Sequence, residues 1–424
     1  MGKEFKFDVE AIRAQFPACK LEVGGAPIAY LDGPGGTQVP QRVLDRIVKY
    51  LVEENANEGG NFKAGRLGEI LEEEARVAAA DFLGCEQGEI GFSNSSTQNN
   101  VNFAHALARR FEPGAKILTN QLEHQCNYAP WIHLGMDGFN TEVVKMDTVT
   151  QQIDMDDFKA KLTPDTKLVS LNWASNGLGT VTDVKKLIAM AHEVGALTVV
   201  DAVHYAAHFP IDVKDIDTDV LVCSAYKWFG PHLGVIYMKK DLIEEMGFYN
   251  VMCEDIATGP RRFHMGTPQY ELLTGMTEAV NFVASVGEEY ADCFEEELKG
   301  LTGRRRNVVA GMTAFDHYES GLAKQLRDGL RAIPGVHVFG PAEGEARTPT
   351  VVFTVDGFTT DEVSQMLGDR GINSWHGDYY AVQIMKAMGV YDKGGMVRLG
   401  LAPYVTQSDI DRTLYAVRQL VAGA

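Results

Sequence analysis

Long hydrophobic runs are missing from this chain: nothing in its 424 residues approaches the roughly 20 apolar positions that a membrane-spanning helix needs. The first residues, MGKEFKFDVEAIRAQF, are charged and lack the apolar stretch of a signal peptide. Cysteine is scarce. Cys19, Cys85, Cys126, Cys223, Cys253 and Cys293 show no short paired spacing, which argues against both a zinc site and a disulfide framework. Positive charge is in deficit, with 39 basic side chains against 58 acidic ones and a net charge of −19. A surface that acidic repels phosphodiester backbones and anionic lipid, so neither nucleic acid nor a membrane is an expected partner. Neither a Walker A pattern nor a G-x-G-x-x-G fingerprint follows any strand-like run. These absences leave a reduced, cytoplasmic protein long enough for two domains.

What is present has a clear rhythm. Between about 65 and 290, helical stretches alternate with short apolar runs. Arg66 to Phe82 places Leu67, Ile70, Leu71, Ala75, Ala78, Ala79 and Phe82 at helical spacing. KILTN, TEVVKM, KLVSLNW, LTVVDAV, DVLVCSAY and GVIYMK read as strands, and DVKKLIAMAHEVG as a helix ending at Gly195. Helices alternating with almost wholly apolar strands imply an α/β fold with a mostly parallel, buried sheet. Past about 290 the character changes to a charged helical region and then to GVHVFG, TPTVVFTV and MVRLGLA, expected to form a smaller α/β domain.

The chemistry is concentrated at strand ends. Asp201 closes LTVVD, and Lys227 follows VLVCSAY, so both would reach the ligand-binding edge of a parallel sheet. An amine able to form an imine, together with a carboxylate able to keep a pyridine nitrogen protonated, is the pair that pyridoxal-phosphate (PLP) chemistry needs. Ser95, Ser96 and Thr97 precede a helical run expected to begin near Asn99, where hydroxyls and free N–H groups suit a phosphate. An ordinary N-cap explains the same residues. His124 follows KILTN and can stack on a ring or serve as a structural histidine; Asn176 can donate to a phenolate oxygen or simply make an Asn-Gly turn.

Taken in order, YLDGPGGTQVP, SSTQNNVN, LEHQCNYAPW, ASNGLGT, VDAVHY, CSAYKWFGPHLG, RRFHMGTPQ and VRLGLAPYVT resemble the class V aminotransferase family of PLP enzymes, in its cysteine desulfurase-like branch with the Suf-type sulfur-mobilising enzymes. The resemblance runs from about Phe5 to the C-terminus. It implies PLP fold type I, like aspartate aminotransferase: a large domain (21–290) around a mostly parallel seven-stranded sheet, and a small domain from 1–20 and 291–424. It also implies roles. Lys227 matches the Schiff-base lysine, Asp201 the partner of the pyridine nitrogen, His124 the ring-stacking histidine and Asn176 the amide near the phenolic oxygen. Ser96, Thr97, Ser224 and Tyr226 fall at the phosphate, and Thr267 matches a phosphate contact from a neighbouring subunit, hence a homodimer with shared sites. Arg398 matches the arginine that grips the carboxylate of an amino-acid substrate.

The departures from the family pattern are Tyr226 and His204 on the cofactor side and two loops on the substrate side. Where the desulfurases carry a catalytic cysteine, this chain reads NSWHGDYYAVQIM, which sets Tyr379 or Tyr380 at that position, and no cysteine follows Cys293. A phenol does not accept sulfur as a persulfide. His204 replaces the usual glutamine after the aspartate, a cofactor-side position near the phenolic oxygen where an imidazole can tune the imine or simply pack, and NEGGNF (57–62) replaces a basic loop. Asn61, His376 and Tyr380, with Arg398, are therefore the expected substrate contacts. The expected reaction is β-elimination from a cysteine-like or sulfur/selenium amino acid. Alternatives are a desulfurase using another thiol such as Cys126, an aminotransferase, an epimerase with a proton donor from the Tyr379–Tyr380 loop, or a non-catalytic PLP-fold subunit.

Overall fold

The computed structural model describes residues 4–249 and 259–423; Cys253 lies outside them. Seven strands build the central sheet: β1 (Ile90–Ser93), β2 (Lys116–Asn120), β3 (Asn140–Val144), β4 (Thr166–Asn172), β5 (Leu197–Asp201), β6 (Val220–Ser224) and β7 (Gly234–Met238). Their order is β1-β7-β6-β5-β4-β2-β3, and only β7 runs against its neighbours. Six of these strands coincide with the apolar runs of the sequence to within a few residues. The seventh, β1, is a four-residue piece whose brevity hides it.

Helices cover both faces, as a sheet of fully buried strands requires. They include α1 (Lys63–Leu83), α2 (Ser96–Ala108), α3 (Gln125–Met136), α4 (Val184–Glu193) and α5 (Tyr270–Tyr290). α1 extends beyond Arg66–Phe82 at both ends, and α2 begins at Ser96, three residues before the expected start near Asn99. The earlier start has a local cause. Ser95 has an extended backbone and its side chain accepts from the Gln98 N–H at 3.1 Å, so Ser95 itself is the cap.

The long α6 (Gly303–Arg331) crosses α5 and leads to a second, antiparallel sheet. This sheet contains β8 (Val336–Phe339), β9 (Thr350–Val355), β10 (Trp375–Gly377) and β11 (Met396–Gly400) in the order β8-β9-β11-β10. The N-terminal segment returns to this part of the molecule. Phe7 stacks on Tyr318 with ring centroids 4.4 Å apart, and Arg13 pairs with Asp409 at 3.1 Å. Among the described residues, no helix is long and apolar enough to cross a membrane.

Candidate active site

The carboxyl ends of β4, β5 and β6 place Asn172, Asp201 and Ser224 along one edge of the sheet, with Asp201 in register with Asn172. Next to them opens a cavity of about 660 Å³. Ser96, Thr97, His124, Asn176, Asp201 and His204 line it on the large-sheet side, together with Tyr226 and Lys227. The small sheet and its loops contribute His376, Tyr380 and Arg398. Ser224 lies just beneath, its Oγ accepting from the Ser96 N–H at 3.4 Å. Thr267 and Asn61 are the two expected residues that a single chain does not bring there. Thr267 lines a separate cleft of about 260 Å³ with Asn94 and Gln98, while Asn61 is exposed ahead of α1, its carbonyl accepting from Arg66 at 2.7 Å.

Each group is tuned by its surroundings. Lys227 sits in a single turn after β6 and donates to the Pro34 carbonyl. Burial, and then the charge of Arg398, lowers its pKa from 10.5 to about 7, so much of it is a free amine at neutral pH. Asp201 is 5% exposed; its Oδ1 accepts from the Val203 N–H at 2.8 Å and its Oδ2 from the Cys126 thiol at 3.5 Å. Burial raises its pKa from 3.8 to about 6. His124 is pushed down to about 4 by burial and then by Lys227 and Arg398, and its Nδ1 accepts from the Cys126 N–H at 3.1 Å. A neutral ring with Nδ1 accepting carries its proton on Nε2. His204 is held neutral by burial, with Nε2 within 3.0 Å of Thr348 and 2.9 Å of Thr350. Arg398, buried on β11, donates to the Asn176 carbonyl at 2.8 Å and lies 4.2 Å from the centre of the Tyr379 ring.

Several buried polar atoms around the cavity have no protein partner: both amide atoms of Asn172, Oδ1 of Asn176 and Nε of Arg398. Orphaned groups of this kind are costly unless a ligand satisfies them. Gly234 shapes the anion end, because a β-carbon there would collide with the Ser95–Ser96 backbone and push the α2 N-terminus off the sheet. The donor set fits pyridoxal phosphate. Ser96, Thr97, Ser224 and the α2 N-terminus suit the phosphate, Asp201 a protonated ring nitrogen, and Lys227 an aldehyde. Cofactor uptake by the cofactor-free protein should therefore quicken as pH rises, levelling off above about pH 7 where Lys227 is neutral. Stopped-flow absorbance of the lysine-bound cofactor checks this; a profile still climbing steeply at about pH 9 would restore an ordinary lysine.

Sequence reasoning missed four participants. Asn172 ends β4 just as Asp201 ends β5, so the strand-end argument applied to Asp201 would have found it. Pro34 and Gly35 lie in a turn whose only signal is DGPGG, and Trp375 in a polar stretch. Only packing brings these to the cavity.

A family model for aminotransferase class-V matches residues 29–305 and 308–413. A probable cysteine desulfurase of Mycobacterium leprae is 30% identical over 97% of this chain and 96% of its own, and a cysteine desulfurase of Pectobacterium carotovorum is 28% identical over 98% of each. The fold is similar to that of a solved cysteine desulfurase from Thermococcus onnurineus, with a TM-score of 0.86 at 24% identity over all of both chains. With a site that fits pyridoxal phosphate and a family match across almost its full length, the chain belongs to the class V aminotransferase family of PLP-dependent enzymes, in its cysteine desulfurase-like part.

Proposed function

We propose that this protein is a cytoplasmic, homodimeric β-lyase that cleaves the Cβ–S (or Cβ–Se) bond of a cysteine-like amino acid. One observation carries the reading. Cys126 is the only cysteine lining the cavity among the described residues, and it is a poor nucleophile. Its sulfur is turned toward Asp201, and burial followed by the Asp201 charge holds the thiol well above its usual pKa of 9.0. At the position that the resemblance sets against the desulfurases' cysteine this chain has Tyr379 or Tyr380, and both line the cavity. Without an acceptor thiol, sulfur leaves with its own electron pair rather than passing to the protein.

Bound pyridoxal phosphate would supply an electron sink for the charge left at Cα. Everything else falls to the chain. Arg398 binds the substrate carboxylate as a planar fork, in a buried setting that strengthens the pair. The Lys227 amine would hold the cofactor aldehyde and, as a free base poised near neutrality, would remove the α-proton of the substrate. Asp201 would hold a proton on the ring nitrogen, and His124 would cover the ring with a neutral imidazole. Residues 21–290 supply the cofactor side, while 1–20 and 291–424 supply Arg398 and the 373–381 loop. Thr267 and Asn61, remote from their own chain's cavity, would complete the site of the partner subunit.

The desulfurase relatives favour a second reading, sulfur transfer through an unrecognised thiol. The products decide. L-cysteine with PLP-loaded protein should give pyruvate, ammonia and sulfide, and Cys126→Ala should still give pyruvate. Alanine as the product, lost in Cys126→Ala, would make Cys126 the nucleophile and overturn the lyase reading.

A further inference from the structure

The mouth of the cavity is walled by aromatic rings whose positions are fixed by unusual means. Trp375 lies against the turn at Gly35, where any β-carbon would collide with the indole, and its Nε1 donates to the Asp32 carbonyl at 3.2 Å. It remains 44% exposed. Tyr379 and Tyr380 hold φ of 35° and 60°, a left-handed region that side-chain-bearing residues seldom adopt. Three hydrogen bonds impose this conformation. The Gln125 N–H donates to the Tyr380 carbonyl at 2.9 Å, the Asn176 amide to the Tyr379 carbonyl at 2.9 Å, and the Tyr380 N–H to Asp378 at 3.0 Å. Two of those partners come from α3 and from the loop after β4, so the strained loop is bolted to the cofactor side of the cavity. As a result the Tyr379 ring covers Arg398, its hydroxyl buried without a hydrogen-bond partner. Tyr380, 67% exposed, lies 5.5 Å from the His124 ring.

We propose that Trp375, Tyr379 and Tyr380 form a side-chain subsite, and that the substrate is a cysteine thioether whose sulfur carries a planar aromatic group. The proposal rests on the lyase reading and names its substrate class. Backbone strain persists only where surrounding structure enforces it, and here it serves to present flat faces at the entrance. A bare cysteine side chain would leave those faces in water, whereas an aromatic substituent covers them and gains offset or edge-to-face contacts. The unpartnered Tyr379 hydroxyl can hydrogen-bond the sulfur or a ring heteroatom. The cavity, at about 660 Å³, falls within the roughly 300–1,000 Å³ of sites that enclose drug-sized ligands. In the reaction the Cα–H and Cβ–S bonds break, and the aromatic thiolate leaves with the Cβ–S electron pair and takes up a proton. The remaining three-carbon enamine adds water to give pyruvate and ammonia. No oxidant or reductant is needed.

Two measurements on the PLP-loaded protein test this. The first is kcat/KM for pyruvate release from L-cysteine, S-methyl-, S-phenyl- and S-benzyl-L-cysteine. The second is the dissociation constant of α-methyl-S-benzyl-L-cysteine, which has no α-proton to lose, read by tryptophan fluorescence against α-methyl-S-methyl-L-cysteine. The aromatic substrates should exceed S-methyl-L-cysteine at least tenfold, with a matching preference in binding. Tyr380→Ala, which truncates an exposed ring, and Trp375→Ala should each shrink both ratios several-fold. Pyruvate release at equal efficiency across the series, with equal dissociation constants, overturns the subsite and leaves the lyase intact. An aromatic binding preference without pyruvate from any substrate overturns the lyase and leaves the subsite. Neither signal overturns both.

Discussion

Lys227→Ala will lower turnover by roughly 10³-fold or more, the scale expected when a positioned general base is removed. In the proposed reaction this residue is the base. Among the lining residues it is the one amine, and burial and the neighbouring Arg398 charge bring its pKa to about 7. His124, its nearest rival as a base, is pushed down to about 4 and uses Nδ1 on the Cys126 N–H, so its imidazole is poorly placed to take over. The variant should also lose the visible band of lysine-bound cofactor. Since a buried amine is being exchanged for a methyl group, the cofactor-free melting temperature should not fall. Partial rescue of turnover by added small primary amines would separate loss of the base from damage to the fold. Wild-type turnover in Lys227→Ala, measured with the best available substrate, would end the mechanism.

Asp201→Asn should cost roughly 10²–10³-fold in turnover while the cofactor still attaches to Lys227, a magnitude typical of removing a preorganised electrostatic partner. Asparagine keeps the shape and can still accept from the Val203 N–H, but it carries no charge to hold a proton on the ring nitrogen. The sign of the stability effect is opposite in the two forms of the protein. Without cofactor, Asp201 has a folded pKa of about 6 against 3.8 for a free carboxyl, so burial favours its protonated form. That contribution is complete below the unfolded pKa and is lost as pH rises through about 6. At neutral pH the empty protein therefore carries a buried carboxylate whose two hydrogen bonds and the nearby Lys227 offset its desolvation only in part, and Asp201→Asn should melt no lower than the wild type, or slightly higher. With cofactor bound, the cationic ring relieves that burden, and the order of melting temperatures should reverse. A loaded Asp201→Asn variant that turns over at the wild-type rate would remove Asp201 from the electron-sink role.

Much of this site is legible in the amino-acid sequence, and the reasons are local. Asp201 and Lys227 stand at the ends of apolar strands, and a parallel sheet delivers such ends to a common edge whatever the surrounding loops do. The Ser95–Thr97 cluster reads as a helix start, and the Ser95 hydroxyl caps the backbone, although the helix begins at once rather than near Asn99. Arg398 is recognisable as a cation set among apolar residues on a strand. Thr267 and Asn61 show the opposite case: neither residue type nor spacing states whether a loop folds back over its own chain's cavity or away from it.

The sequence by itself determined the fold class and the pair of side chains at the strand ends, because periodicity and strand termini are properties of a few consecutive residues, while its ordered motifs carried the resemblance that names the family and the cofactor the family uses. Only the tertiary structure decided what surrounds them. It turned the Cys126 sulfur toward Asp201, set Trp375 against Gly35, and wedged two tyrosines into a left-handed turn tied to Gln125 and Asn176. Those arrangements join residues up to 340 positions apart, as Trp375 and Gly35 are, and pKa values, orphaned polar atoms and the aromatic wall all arise from burial that no local pattern encodes.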